Sequence, residues 1–135
     1  MKSKKAYLGI SFSNRKLFSK EVNALQNTLN QKKIELMVFV DKYRFEPHQE
    51  VEMMQTAFQE IEQCDVFIAE LTSKAIGVGI ELGYAYKLGL PIIYIRKTGS
   101  EYSTTAAGCA QEIYEYEDDL DLSNYLSQII PQLLK

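Results

Sequence analysis

Five short runs of nearly unbroken apolar residues punctuate the chain, and between them hydrophobic positions recur at helical spacing. The runs are Lys5–Ser11 (KAYLGIS), Ile34–Val40 (IELMVFV), Val66–Leu71 (VFIAEL), Pro91–Ile95 (PIIYI) and Ile113–Tyr116. Runs this apolar read as strands buried on both faces, the signature of a parallel sheet with helices on either side. A first helix is predicted over Arg15–Lys32, with Phe18, Val22, Leu25 and Leu29 on one face and Ser13 or Asn14 as its cap. A second covers Gln49–Gln63, with Val51, Met54, Phe58 and Ile61 on one face. Met53 and Met54 read either as core filler or as a pliable ligand surface. The third covers Gly79–Leu88 and stops at Gly89. A short helix at Thr104–Ala110 follows, and a last one at about Leu122–Leu134, begun by the acidic Asp118–Asp121 cluster and kinked or ended early by Pro131.

Strands alternating with helices give an α/β, flavodoxin- or Rossmann-like three-layer sandwich. Its five-stranded, mostly parallel sheet has expected order 2-1-3-4-5, within one domain over residues 1–135. Ligands in such sheets bind beyond the carboxyl ends of the strands. That directs attention to Ser11–Asn14 after the first strand, Thr72–Gly79 after the third and Arg96–Ser103 after the fourth. The charged and aromatic stretch Asp41–His48 reads as a plain loop ended by Pro47.

Charge narrows the field. A net charge of -3 and a pI near 5.2 argue against a nucleic-acid surface, and Lys2, Lys4 and Lys5 read as a solvated terminus. Cys64, Cys109 and His48 are the only cysteines and histidine and are far apart, so no metal site is expected. No apolar run reaches the roughly 18–20 residues of a membrane span. With no signal peptide read at the start, a soluble cytoplasmic chain with reduced thiols is the expectation.

Familiar catalytic signatures are missing: there is no GxSxG elbow and no GxxxxGK[ST] loop. Gly77, Gly79 and Gly83 have the wrong spacing for a dinucleotide fingerprint. What remains is Glu81, just behind Gly77 and Gly79 in the stretch CDVFIAELTSKAIGVGIELGYAYKLGLPIIYI, Cys64–Ile95. Read alone, it is a glutamate stabilising a helix dipole by about 0.3–1 kcal/mol. Behind a glycine loop it is also a carboxylate that the helix N-terminus keeps ionised, able to attack a sugar anomeric carbon.

The run Asp65–Ala85, DVFIAELTSKAIGVGIELGYA, with its GVGxELGxA core at Gly77–Ala85, resembles the nucleoside 2-deoxyribosyltransferase superfamily. The likeness is nearest to its 2'-deoxynucleoside 5'-monophosphate N-glycosidase branch, and YLGISFSN (Tyr7–Asn14) resembles that family's first strand and loop. The resemblance implies cleavage of the N-glycosidic bond of a nucleoside or nucleotide through a covalent glycosyl-Glu81 intermediate, by hydrolysis in preference to base exchange, without cofactor. It implies that Tyr7 orients Glu81, and that Ser11, Phe12, Ser13, Asn14, Ala75, Gly77 and Gly79 line the sugar and phosphate pocket. It further implies a homo-oligomer, a dimer or larger, in which Ser103 reaches a neighbouring site. Three positions depart from the family's pattern: Ala57 replaces an aspartate, Ser13 an arginine and Ala75 a serine. Arg15, Lys16 or Lys74 are candidates for the missing charge, and Glu70 for the missing acid. A TIR-like NAD glycohydrolase, which pairs a similar sheet with one glutamate, and a non-catalytic nucleotide-binding or sensor protein are the rival readings.

Overall fold

The computed structural model describes residues 3–135; of the basic start, Lys2 lies outside them. The elements run β1 (Lys4–Ile10), α1 (Phe12–Leu17), α2 (Ser19–Gln31), β2 (Ile34–Val38), α3 (Phe39–Lys42) and α4 (Glu50–Glu62). They continue with β3 (Val66–Glu70), α5 (Ile76–Leu88), β4 (Ile92–Lys97), α6 (Thr104–Ala107), β5 (Glu112–Tyr116) and α7 (Asp119–Leu133). The strands form one sheet in the order β2-β1-β3-β4-β5, every pairing parallel. This is the sandwich predicted from the apolar runs.

Strand alternation divides the interior in two. Ala6, Leu8, Ile10, Val66, Ile68, Ile93 and Ile95 pack with Val22, Leu25 and Leu29 of α2 and Leu122, Leu126 and Ile130 of α7. On the opposite face, Tyr7, Phe67, Ala69, Ile92 and Tyr94 pack with Ile61 of α4 and Val78, Leu82 and Ala85 of α5. Between β1 and β3 the chain diverges to opposite faces, the switch point where a crevice opens at the strands' carboxyl ends.

Several local expectations change. The predicted first helix is two, broken at Phe18, whose buried ring sits where the backbone leaves helical geometry at φ -115, ψ 32. Its cap is Ser11, not Ser13 or Asn14: Ser11 Oγ accepts from the Asn14 N–H at 3.1 Å. The strand predicted to Val40 ends at Val38, where pairing with Leu8 stops. Phe39 then starts α3, because its ring packs on Tyr7 and Tyr43 and does not extend the sheet. Gly77 and Gly79 lie in the first turn of α5, which begins three residues earlier than predicted, at Ile76. Glycine suggested loop, but neither has a positive φ, and their neighbours carry the helix through. Gly89 does take the left-handed cap, at φ 85. Helix α7 starts early, at Asp119 behind the Asp118 cap, and passes through Pro131 to Leu133. Proline is tolerated there because Ser127, one turn back, is exposed and its carbonyl can turn to water. Lys5 belongs to β1, half-buried within 4.0 Å of Glu35 and Glu60, so it is not a solvated end. Val51, predicted on the buried face of α4, is 71% exposed.

One glycine sets the distance between sheet and helix. A Cβ on Gly9 would stand 2.9 Å from Phe67 Cζ and 3.1 Å from Val78 Cγ1. Its absence lets α5 settle onto β1 and β3. Gly9→Ala is therefore expected to cost about 1–3 kcal/mol by overpacking. Urea unfolding measures this; an unchanged midpoint would refute the close-approach account.

Candidate active site

Glu81 projects from the second turn of α5 toward β1, where Tyr7 is fully buried in mid-strand. Tyr7 Oη donates to Glu81 Oε2 at 2.9 Å, and the tyrosine ring stacks on Phe67 with centroids 5.2 Å apart. The stacking and the strand leave the hydroxyl little freedom, so Tyr7 fixes the carboxylate's orientation. Burial pushes the Glu81 carboxyl up to about 7, against the opposing hydrogen bond from Tyr7. The helix N-terminus does not keep it ionised as expected, because the dipole fades beyond the first turn while desolvation does not. Burial, then the charge of Glu81, raise the Tyr7 hydroxyl well above the ordinary phenol, so Tyr7 remains a donor.

Above this pair opens a cavity of about 470 Å³. Ser11 and Phe12 line it from the end of β1, Ala75, Gly77 and Val78 from the start of α5, and Met53 and Met54 from α4. Leu8 and Ile10 of β1 also line it, and its remaining wall is Phe39, Val40, Tyr43, Arg44 and Phe45, from the segment after β2. Among the described residues that line it, Glu81 is the only carboxylate. A Cβ on Gly77 would meet nothing within 4 Å, so this glycine widens the cavity.

Of the predicted site residues, Glu81, Tyr7, Ser11, Phe12, Ala75 and Gly77 therefore converge. Ser13 is exposed and away from the lining. Asn14 is buried beside it, its Oδ1 accepting from Ser73 Oγ at 3.2 Å and its Nδ2 without a partner among the described residues. Gly79 and Ser103 line a second cavity, about 370 Å³, on the other side of the first turn of α5. There Ser103 Oγ caps α6 through the Ala106 N–H.

Each proposed substitute for the missing groups has another partner. Arg15 makes a two-pronged pair with Asp41 at 2.8 and 2.9 Å, Lys74 pairs with Glu101 at 3.5 Å, and Lys16 lies over the Phe12 ring. Glu70 faces the α2 and α7 side, where it accepts from Thr72 and, at 2.6 Å, from Tyr116, so it cannot serve as an acid in this cavity. Ala57 is fully buried on α4. The wall Phe39–Phe45 was missed. Its aromatic content was visible, but the loop after the second strand was left out although it too leaves a carboxyl end.

A doubly wound parallel domain with a crevice at its switch point, floored by a half-buried carboxylate bonded to a buried tyrosine, defines a class of small-ligand sites. The nucleoside 2-deoxyribosyltransferase family model matches residues 7–122, and the chain belongs to that family. It is 33% identical over 81 residues to the 5-hydroxymethyl-dUMP N-hydrolases of Rattus norvegicus and Mus musculus. Those matches cover 53% of this chain and 50% and 47% of the relatives, so the matched chain spans about half of their length. Among solved structures, the CMP N-glycosidase of Clostridium botulinum superposes with a TM-score of 0.71 at 21% identity, covering 93% of this chain and 99% of that one. A 2-deoxyribosyltransferase from Bacillus psychrosaccharolyticus gives 0.70 at 20% identity, covering 90% and 91%. These two likenesses establish the fold. No helix among the described residues is long and apolar enough to cross a membrane.

The raised Glu81 pKa fixes a sign for stability. Between its ordinary value of 4.5 and about 7, the folded chain holds a proton that the unfolded chain has lost. Stability therefore falls as pH rises through that window, by on the order of 3 kcal/mol. Glu81→Gln removes the buried charge and is expected to melt above the wild type at pH 8 and level with it at pH 4. Equal melting temperatures at pH 8 would contradict the buried charge.

Proposed function

We propose that this chain cleaves the N-glycosidic bond of a nucleoside or nucleotide, with Glu81 as nucleophile and water as the final acceptor. The observation that carries the reading is the 2.9 Å hydrogen bond from Tyr7 to Glu81 on the floor of a mostly apolar cavity of about 470 Å³. That volume lies in the range of small-ligand pockets, and apolar walls suit a flat base. Ionised Glu81 attacks the anomeric carbon as the bond to the base nitrogen breaks and its electron pair leaves with the base. Water then hydrolyses the glycosyl ester, its hydroxyl going to the anomeric carbon and its proton, in net, to the departed base, which returns ionised Glu81 and a sugar of retained configuration. Tyr7 holds one carboxylate oxygen, leaving the other for attack. Similarity to proteins named N-hydrolases supports hydrolysis over base exchange. Ser11, Phe12 and Gly77 line the sugar end on this reading.

Release of free base is the measurement, across ribo- and deoxyribonucleosides, their 5'-monophosphates and NAD. Glu81→Ala is expected to lose at least about 10³-fold in kcat/KM while remaining folded. A variant as active as wild type sinks the proposal, nicotinamide from NAD alone favours the NAD glycohydrolase reading, and binding without base release favours a sensor.

The nucleophile must be ionised, and its carboxyl titrates near 7. In the wild type kcat/KM is expected to fall about tenfold per pH unit below that value. A rate flat between pH 5 and 8 would show that Glu81 does not act in its ionised form.

A further inference from the structure

Beside the cavity stands a polar lock that takes no part in the chemistry proposed above. Glu60, on the buried face of α4, is 6% exposed. It accepts a hydrogen bond from the Tyr43 hydroxyl and a charge-assisted one from Lys42 Nζ at 2.8 Å, with Lys5 Nζ 4.0 Å from its other oxygen. Burial disfavours its charge, but the bonds from Lys42 and Tyr43 prevail and hold the carboxyl below the usual glutamate range.

Lys42 and Tyr43 both belong to the segment Phe39–Phe45 that walls the cavity. Its rings form a connected set, Phe39 to Tyr43 at 5.0 Å, Phe39 to Phe45 at 6.0 Å and Phe39 to Tyr7 at 6.4 Å between centroids. The segment is one turn of helix followed by extended chain, beyond the end of the edge strand β2. A single turn has little stability of its own. It is pinned from outside at two points, by Glu60 from α4 and by Arg15 from α1 through Asp41. A buried carboxylate is a poor source of stability compared with apolar packing of the same volume, whereas its hydrogen bonds do fix where the donors sit.

We propose that Glu60 is a positioning residue: through Tyr43 and Lys42 it sets the aromatic wall against which the flat leaving base packs. This rests on the N-glycosidic reading and adds the part of the substrate that the wall contacts. A wall already ordered before binding spares the ligand the cost of ordering it.

The test is calorimetric binding to Glu81→Gln protein, which holds substrate without consuming it. Deoxyuridine 5'-monophosphate is the nucleotide probe, and 2-deoxyribose 5-phosphate is the same molecule without its base. Adding Tyr43→Phe, which keeps the ring and removes the part-buried bond to Glu60, is expected to weaken nucleotide binding by up to about tenfold, the worth of one hydrogen bond to a charged group. Sugar-phosphate binding should be unchanged. Glu60→Gln, which retains an acceptor for Tyr43, should lose less than Glu60→Ala. Tyr84→Phe, which removes the comparable Tyr84–Glu62 contact from α4 away from the cavity, should lose nothing. In protein with Glu81 intact, Tyr43→Phe should raise KM about tenfold, with kcat within roughly twofold. Undiminished nucleotide binding in Tyr43→Phe overturns the proposal, as does an equal loss for the sugar phosphate or for Tyr84→Phe, either of which marks general loosening. If Glu81→Gln with its wall intact binds neither probe and the wild type releases base from none of the nucleosides and nucleotides named above, the N-glycosidic reading itself falls and takes this proposal with it.

Discussion

A half-buried carboxylate with one hydroxyl as its hydrogen-bond partner is the constraint on which this structure turns. Desolvation outweighs the hydrogen bond from Tyr7, so Glu81 titrates near neutrality. The arrangement persists because the surrounding packing over-determines it. Tyr7 is held on both sides by strands β2 and β3 and stacked on Phe67. Val78, one turn before Glu81, rests over Gly9, where a Cβ would crowd both Phe67 and Val78. Apolar contacts on that face thus set a 2.9 Å polar contact at its edge. Such a group weakens the fold at the pH where it is charged, which is the usual relation between a poised site and stability.

The charges around the site follow a complementary rule. Arg15, Lys42 and Lys74 each pair with a carboxylate outside the cavity, and the first two of those pairs brace its walls. Arg44 lines the cavity and makes no ion pair with another described residue. Most of the remaining lining is Phe, Met, Val, Ile and Leu, an environment of low polarity in which the two charged groups, Glu81 and Arg44, act more strongly than they would in water. Ions used for bracing and apolar groups used for lining divide the work between them. That division explains why Arg15, picked out as a phosphate partner, is committed to Asp41.

The sheet was legible because parallel strands buried on both faces leave apolar runs that few other structures produce. The runs were hidden only at their ends, where IELMVFV keeps its strand-like character for two residues after pairing has stopped. Gly77 and Gly79 misled in the same local way, since propensity is a weak prior against a helix anchored by Val78, Leu82 and Ala85. Glu81 and Tyr7 could be picked out by likeness to a family motif, but their charge states could not, because those depend on what buries them. The wall Phe39–Phe45 was the largest omission. Its lock is a carboxylate on another helix, Glu60, which no spacing rule connects to Tyr43 seventeen residues earlier.

Glu70 illustrates how alternation decides chemistry. In β3, Phe67 and Ala69 face α4 and α5, so Val66, Ile68 and Glu70 face α2 and α7. No loop rearrangement brings Glu70 round the sheet to Glu81. It is spent instead on Thr72 and Tyr116, tying the ends of β3 and β5 together, and burial holds its carboxyl above the ordinary range. With Ala57 on α4 and Glu70 turned away, the cavity contains one carboxylate, where glycoside cleavage normally employs two. On the proposed reading, the base must then leave with little help from a side-chain acid. Nucleobases allow this better than simple sugars' alcohols do, because the electron pair left on the ring nitrogen spreads over the ring and its carbonyl groups. If Glu81 is the nucleophile, Tyr7 its positioning partner and the Phe39–Phe45 wall the base's platform, as proposed, the site suits a base of that kind better than an ordinary glycoside.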